Sequence, residues 1–203
     1  MYFIGDVHGY FDGYRNILNK IGDNSSIQVG DFGYISRDNF QVEVNNNHKF
    51  IRGNHDNPEI CKKHPNYLGE FGYLEEEDIF FVSGAQSIDR SHRYVGVNWW
   101  EDEELPYNVL LDVIQAYKKA KPRIVVTHCA PIDFKPCKND FKSRTEASLQ
   151  VMFEHHYPEY WICGHYHKRL SQQIESTKFE FLGKVDGCEE INYNIEDSFI
   201  KID

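Results

Sequence analysis

Five short stretches of the chain gather the residue types that handle metal ions and phosphates. They are GDVHG at 5–9, GDFG at 30–33, GNHD at 53–56, THCAP at 127–131 and GHYH at 164–167. Together they supply Asp6, His8, Asp31, Asn54, His55, Asp56, His128, His165 and His167. Carboxylates, imidazoles and an amide oxygen in one set suit transition-metal ions, and the set is larger than one ion needs. It suits two ions with a carboxylate between them. Five of the ten histidines fall in these stretches. His48, His64, His92, His155 and His156 lie elsewhere and read as ordinary core or surface residues.

The residues preceding each stretch indicate how they could meet. YFI leads into GDVHG, SIQV into GDFG, KFIR into GNHD, RIVV into THCAP and YWIC into GHYH. Runs this short and this uniformly apolar read as strands covered on both faces. Ligand sites of open α/β sheets lie beyond the carboxyl ends of the strands, and glycine there permits a sharp exit. The five strand ends are therefore expected to converge on one point.

Helices stand out between the strands by their spacing. In YFDGYRNILNKIG, Tyr10, Tyr14, Ile17, Leu18 and Ile21 share a face. In LPYNVLLDVIQAYKKA, Pro106 suits the first helical turn, and Val109, Leu110, Val113, Ile114 and Tyr117 form the apolar stripe. A third helix covers much of 145–155 and stops before Pro158. The segments from Tyr73 to about Trp99 and from Leu170 onward read as further strands, with QQIESTKFEFLG a hairpin turning near Ser176 and Thr177. The expected fold class is α/β, a sheet sandwich flanked by helices, in one domain over residues 1–203.

The totals narrow the function. A net charge of −10 disfavours gripping long duplex nucleic acid by its phosphates, but leaves room for phosphate at a site carrying its own cations. No stretch has the length of an apolar membrane span and no leader pattern precedes the first strand, as expected of a cytoplasmic protein without a membrane partner. The five cysteines are scattered, without a C-x-x-C pair, and read as reduced, mostly buried thiols.

The ordered set of five motifs resembles the signature of the calcineurin-like metallophosphoesterases, over residues 5 to 167. The resemblance implies a four-layer α/β/β/α sandwich, mixed sheets with helices on the outer faces, and a two-metal hydrolase of phosphate esters. By motif match, Asp6, His8 and His167 would hold one metal. Asn54, His128 and His165 would hold the other, with Asp31 bridging and His55 unmetallated beside them. Two divalent transition ions, Mn²⁺ foremost with Fe, Zn or Ni as alternatives, bring four positive charges, of which Asp6 and Asp31 return two. The other ligands are neutral, so the site keeps a positive charge for phosphate. A water shared by the metals would ionise near neutral pH and attack phosphorus in line. His55 would supply a proton to the departing alkoxide as the catalytic acid. Asp56 either anchors the turn or orients His55.

The pattern also departs from the phosphoprotein phosphatases of this family, which carry GDxxDRG and GNHE. Here Tyr34 stands at the second aspartate, no arginine-glycine pair follows, and GNHD replaces GNHE. The partner of His55 is then Asp56 or Asp89. Residues 83–105 are similar to an insert found in small bacterial and phage-type members without a settled substrate. Arg52, Arg90 and Arg93 are candidates for holding non-bridging phosphate oxygens. Trp99 and Trp100 read as core, or as the cap of a helix start, rather than as a platform for a base, and EDEEL reads as a solvated helix start. The expected substrate is a small or flexible ester: a nucleotide, a cyclic nucleotide or a short single strand. Phosphoprotein is the alternative, and a catalytically idle scaffold is a third reading, from which ligand residues could have been lost freely.

Overall fold

The computed structural model describes residues 1–35, 45–137, 143–185 and 194–203. In chain order the first elements are β1 (Tyr2–Ile4), α1 (Phe11–Ile21), β2 (Ser26–Gln28), β3 (His48–Phe50), α2 (Pro58–Cys61), β4 (Phe71–Leu74) and β5 (Ile79–Val82). They are followed by α3 (Tyr107–Ala120), β6 (Ile124–Thr127), α4 (Arg144–His155), β7 (Tyr160–Cys163), β8 (Leu170–Ile174), β9 (Thr177–Phe181) and β10 (Phe199–Lys201). Two mixed sheets result. One has the order β10-β1-β2-β3, with β1, β2 and β3 parallel and β10 antiparallel at the edge. The other has the order β4-β5-β6-β7-β9-β8, parallel from β5 through β9 with an antiparallel strand at each edge.

The strand alternation of period two explains how these sheets stack. Phe3, Ile27, Val29 and Ile51 of the first sheet's strands and strand ends meet Ile79, Phe81, Ile124, Val126 and Ile162 of the second in a middle core. The intervening residues face outward. Ile4 and Phe50 pack with Tyr14, Ile17 and Ile21 of α1 and Cys61 of α2. Phe80, Val82, Val125, Trp161 and Phe179 pack against Leu110, Val113 and Tyr117 of α3 and Leu149, Met152 and Phe153 of α4. Three apolar interfaces between four layers make the α/β/β/α sandwich. The uniformly apolar strands are what a sheet buried on both faces requires.

Local chemistry sets the ends. Ser143 Oγ accepts from the Glu146 N–H at 3.1 Å and opens α4. Pro106 sits one residue before α3 as its cap rather than inside the first turn. The short α2 has no counterpart among the expected helices; Asn57 caps it through the Glu59 N–H and Pro58 occupies its first position. The hairpin turns one residue earlier than expected, at Glu175 and Ser176, with Glu175 at φ 51° and Thr177 already paired with Ile174.

The segment from 83 to 99 corrects a larger expectation. It is not strand: β5 ends at Val82, and the chain beyond it is irregular, with a 3-10 turn at Arg90–His92 and a single bridge between Val95 and Trp99. Cys61, Cys129 and Cys163 are buried free thiols and Cys137 is an exposed one, while Cys188 lies outside the described residues. Among the described residues, no helix is long and apolar enough to cross a membrane.

Candidate metal centre

Three strand ends of the first sheet and two of the second deliver their polar residues to one place. Asp6 and His8 follow β1, Asp31 follows β2, Asn54 and His55 follow β3, His128 follows β6, and His165 and His167 follow β7. Asp6 Oδ2 lies 3.2 Å from His167 Nε2 and 3.7 Å from His8 Nε2, and those two nitrogens are 2.8 Å apart. Asp31 Oδ2 lies 3.3 Å from His128 Nε2 and 3.8 Å from both His8 Nε2 and His55 Nε2. His128 Nε2 is also 3.2 Å from Asn54 Oδ1. Among the described residues two donor groups emerge, Asp6-His8-Asp31-His167 and Asp31-His128-His165, each with its potential ligand atoms within 4.8 Å of one another. Asp31 belongs to both.

The backbone is bent to achieve this. His8, Asp31, His165 and His167 all adopt left-handed conformations, with φ of 48°, 55°, 67° and 54°. Such a conformation in a residue with a side chain costs about 1–3 kcal/mol and persists only where the surroundings enforce it. Here the N–H groups of Val7 and His8 both donate to the Asp31 carbonyl, at 3.0 and 2.8 Å. The His165 N–H donates to Asp6, and the His55 N–H donates to Asp31 Oδ1 at 2.8 Å. Gly53 is needed for close approach, since a Cβ there would collide with Asp31 Oδ1 and His128 Nε2.

Asp56 anchors this frame. Its two oxygens accept from the N–H groups of Phe32 (3.1 Å), Gly33 (2.8 Å), Tyr34 (3.1 Å) and Gly53 (2.9 Å), tying the β2 loop to the β3 loop. Burial and the nearby Asp31 charge push its pKa up, and the backbone donors pull it back. Asp56→Ala would leave four donors unmatched beside the candidate metal ligands. It is expected to cost about 3 kcal/mol, a fall of about 6–12 °C in melting midpoint for a chain of this size. A shift under about 2 °C in a thermal melt would refute the anchoring role.

The charges couple. Burial would raise the carboxyl of Asp6, but bonds from His167 and His8 hold it well below the usual range. Burial would likewise raise Asp31, and the neighbouring His128 and His55 charges keep it low. His128, which burial alone would depress, is lifted to about 9 by Asp31 and Asp6. Burial, followed by the His128 charge, pushes His165 down to about 3.

His55 stands at the rim with its side chain 36% exposed. Arg93 approaches it, Nη2 at 2.7 Å from Nε2 and Nη1 at 3.2 Å from Nδ1. A guanidinium only donates and a neutral imidazole has one acceptor, so the shorter contact is the hydrogen bond. Asp89 Oδ1 holds Arg93 Nε at 2.7 Å. Of the two candidate partners for His55, Asp89 thus reaches it through Arg93, and Asp56 is committed to the backbone.

Other expectations fare differently. Arg52 is not aimed at the cluster: its buried guanidinium donates to Glu70 at 3.0 and 2.8 Å and to the Glu103 carbonyl at 2.8 Å. Arg90 lies over the Trp99 ring, 4.1 Å from its centroid. Trp99 and Trp100 are buried, in line with the core reading. The acidic run is not a solvated helix start, because Glu103 and Glu104 are buried. Glu104 accepts from Ser143 Oγ and the Thr145 N–H, so it secures α4 from outside that helix. Tyr34, at the missing aspartate, is buried with its ring stacked on Phe32 and its hydroxyl 3.2 Å from His64 Nε2. Ser87 is the residue that motif reading missed; its Oγ accepts from Asn54 Nδ2 at 3.1 Å. The available signal was a sixth apolar run, IFFV, followed by SGAQS: the same strand-end form carrying hydroxyls.

Known structures share the architecture. The Plasmodium protein GAP50, the anchor in the inner membrane complex, aligns with a TM-score of 0.55 at 11% identity, over 90% of this chain and 71% of that one. A Staphylococcus aureus protein provisionally assigned as a 5′-nucleotidase aligns with a TM-score of 0.52 at 13% identity, over 91% of this chain and 48% of that one. Identities this low speak for the fold alone. No curated protein sequence matches the chain. The sequence model of the calcineurin-like phosphoesterases matches residues 1–169, which takes in all five strand-end motifs. The chain therefore belongs to the calcineurin-like phosphoesterase family, and is a metal-dependent phosphoester hydrolase.

Proposed function

We propose that this hydrolase uses two divalent transition-metal ions. Asp6, His8 and His167 would hold one, Asn54, His128 and His165 the other, and Asp31 both, for hydrolysis of a small or flexible phosphate ester. The observation that carries the reading is the sharing of Asp31 between two donor groups of otherwise different residues. The donor set fits such ions: imidazoles, two buried carboxylates and one amide oxygen. When bound, the ions would supply Lewis acidity and a water that ionises near neutral pH.

The residues of the chain do the rest. Two carboxylates against neutral imidazoles and an amide leave a dinuclear site short of negative charge, which favours a phosphate over a neutral ligand. His8, His55 and His167 have side chains 27%, 36% and 41% exposed and form the open side, while Asp6, Asp31 and His128 lie beneath. A substrate would enter over these three histidines. His55, at that rim and beside Asp31, is placed to give a proton to the leaving oxygen. Arg93, fixed by Asp89 against His55, is placed to meet a non-bridging oxygen. A nucleotide, cyclic nucleotide or short single strand suits an open rim; Trp99 and Trp100, being buried, give no platform for its base.

The test is a substrate panel on chelator-stripped protein with metal added back, covering nucleotides, cyclic nucleotides, short oligonucleotides and phosphopeptides. Mn²⁺ is expected to restore turnover with two ions bound per chain, whereas Mg²⁺ restores little. Full turnover with Mg²⁺ alone, or one ion per chain at saturation, would overturn the reading. Phosphopeptide preference would favour the phosphoprotein alternative.

The pH dependence follows from His128. Asp31 and Asp6 raise its pKa to about 9, so a metal has to compete with a proton for its ring. Metal affinity should therefore rise with pH toward 9, with proton release on binding, and activity should fall below about pH 6. Titrating metal into weakly buffered protein at pH 7.5 checks this; no proton release would contradict it.

A further inference from the structure

An asparagine ligand poses a problem that a carboxylate does not. Its oxygen and its NH₂ have nearly the same shape, yet only the oxygen can bind a cation. Something must decide which end of Asn54 faces His128.

The geometry points to Ser87 and Glu103 as the positioning residues that fix the Asn54 amide with its oxygen toward the second metal, a role that rests on the two-metal reading. Ser87 donates twice to the Glu103 carboxylate, from its N–H to Oε1 at 2.9 Å and from its hydroxyl to Oε2. With its hydrogen directed at the carboxylate, Ser87 Oγ presents only lone pairs to Asn54. The amide end that satisfies a lone pair is the NH₂, and Nδ2 does lie 3.1 Å from Oγ. Oδ1 is thereby turned to within 3.2 Å of His128 Nε2. The relay runs one way, from the Asn54 NH₂ through the Ser87 hydroxyl to the Glu103 carboxylate. Asn54, Ser87 and Glu103 are 2%, 3% and 4% exposed, so bulk water does not compete for these bonds.

The loops that carry the relay are tied to one another as well. Arg52, two residues before Asn54, donates Nη1 to the Glu103 carbonyl at 2.8 Å. The Arg52 carbonyl accepts from the Gly84 N–H at 2.8 Å, three residues before Ser87. This gives the buried Arg52 and the buried acid of the EDEEL run a shared purpose. They hold the insert against the β3 loop so that a hydroxyl and a carboxylate stand behind one metal ligand. Partners of this kind behind metal ligands typically change affinity by about 10–100-fold when removed.

Two variants test the relay, read by Mn²⁺ binding rather than turnover. Ser87→Ala deletes the acceptor facing Nδ2. Glu103→Gln keeps the volume but offers an NH₂ to Oγ, which frees the Ser87 hydroxyl to donate toward Asn54. Calorimetric titration of chelator-stripped protein should show one Mn²⁺ affinity lowered about 10–100-fold in each variant and the other nearly unchanged. The electron paramagnetic resonance signal of a spin-coupled Mn²⁺ pair should give way to that of an isolated Mn²⁺ at the same metal concentration. The double variant should be no weaker than Ser87→Ala alone, since both changes break one relay. Melting of the metal-free proteins shows whether each folds, and if Ser87→Ala does not, the isosteric Glu103→Gln carries the test. A wild-type second affinity in both variants, a parallel loss at both sites, or additive losses in the double variant would overturn the positioning role. Wild-type protein that binds a single Mn²⁺ would instead overturn the two-metal reading beneath it.

Discussion

On the two-metal proposal, Asp31→Asn is expected to abolish binding of both ions and to lower turnover by about 10²–10³-fold or more. Asp31 Oδ1 is anchored by the His55 N–H at 2.8 Å, and Oδ2 faces His8, His55 and His128. An asparagine would keep its oxygen on that N–H, because only an oxygen can accept there. Its NH₂ would then occupy the place of Oδ2, a donor pointed at the spot where the two proposed cations would need an acceptor. The substitution also removes the negative charge that lifts His128 and that opposes the depression of His55. Because the volume is unchanged, the protein should still fold. Elemental analysis decides the matter: two metals per chain in the variant would end the bridging assignment, and one metal would show that Asp31 serves a single site.

His55→Ala should act quite differently, leaving metal content and folding nearly intact while its effect depends on the leaving group. An alkyl phosphate, whose alkoxide leaves poorly, should lose roughly 10²–10⁴-fold in turnover, the range of a missing general acid. A nitrophenyl phosphate departs without a proton and should lose far less. The comparison of substrates is more decisive here than a pH profile. Burial, helped by Arg93, holds the free-protein pKa of His55 below its ordinary value against the pull of Asp31. Equal losses on both esters would mean that His55 binds phosphate, and lost metal would mean that it is a ligand.

The five motifs were legible because each is local. An apolar run, a glycine and a polar residue within a few positions state both a strand and where it stops. Parallel strands then bring such ends together whatever lies between them, so convergence could be argued before any contact was known. The helices were legible for the same reason, their apolar stripes repeating within a single segment. The stretch between β5 and α3 was not. EDEEL reads as a surface run, and nothing in its letters says that Glu103 and Glu104 are buried by accepting from Ser87, Ser143 and Thr145.

The arginines and Asp56 divide along the same line. Arg52 follows a buried strand and precedes a metal-type motif, which makes it look like a phosphate ligand. Glu70, eighteen residues on, and Glu103, fifty-one on, claim its guanidinium instead. Asp56 had two possible tasks in the sequence, and four backbone N–H groups from two loops chose between them. By itself the sequence determined the strand ends, the polar residue types they carry and hence the family, since those depend on neighbours in the chain. The tertiary structure alone decided which acids are buried, which arginine reaches His55 and which way Asn54 faces. A buried polar group is stable only beside its hydrogen-bond partner, and those partners come from strands and loops that folding, not sequence proximity, brings together.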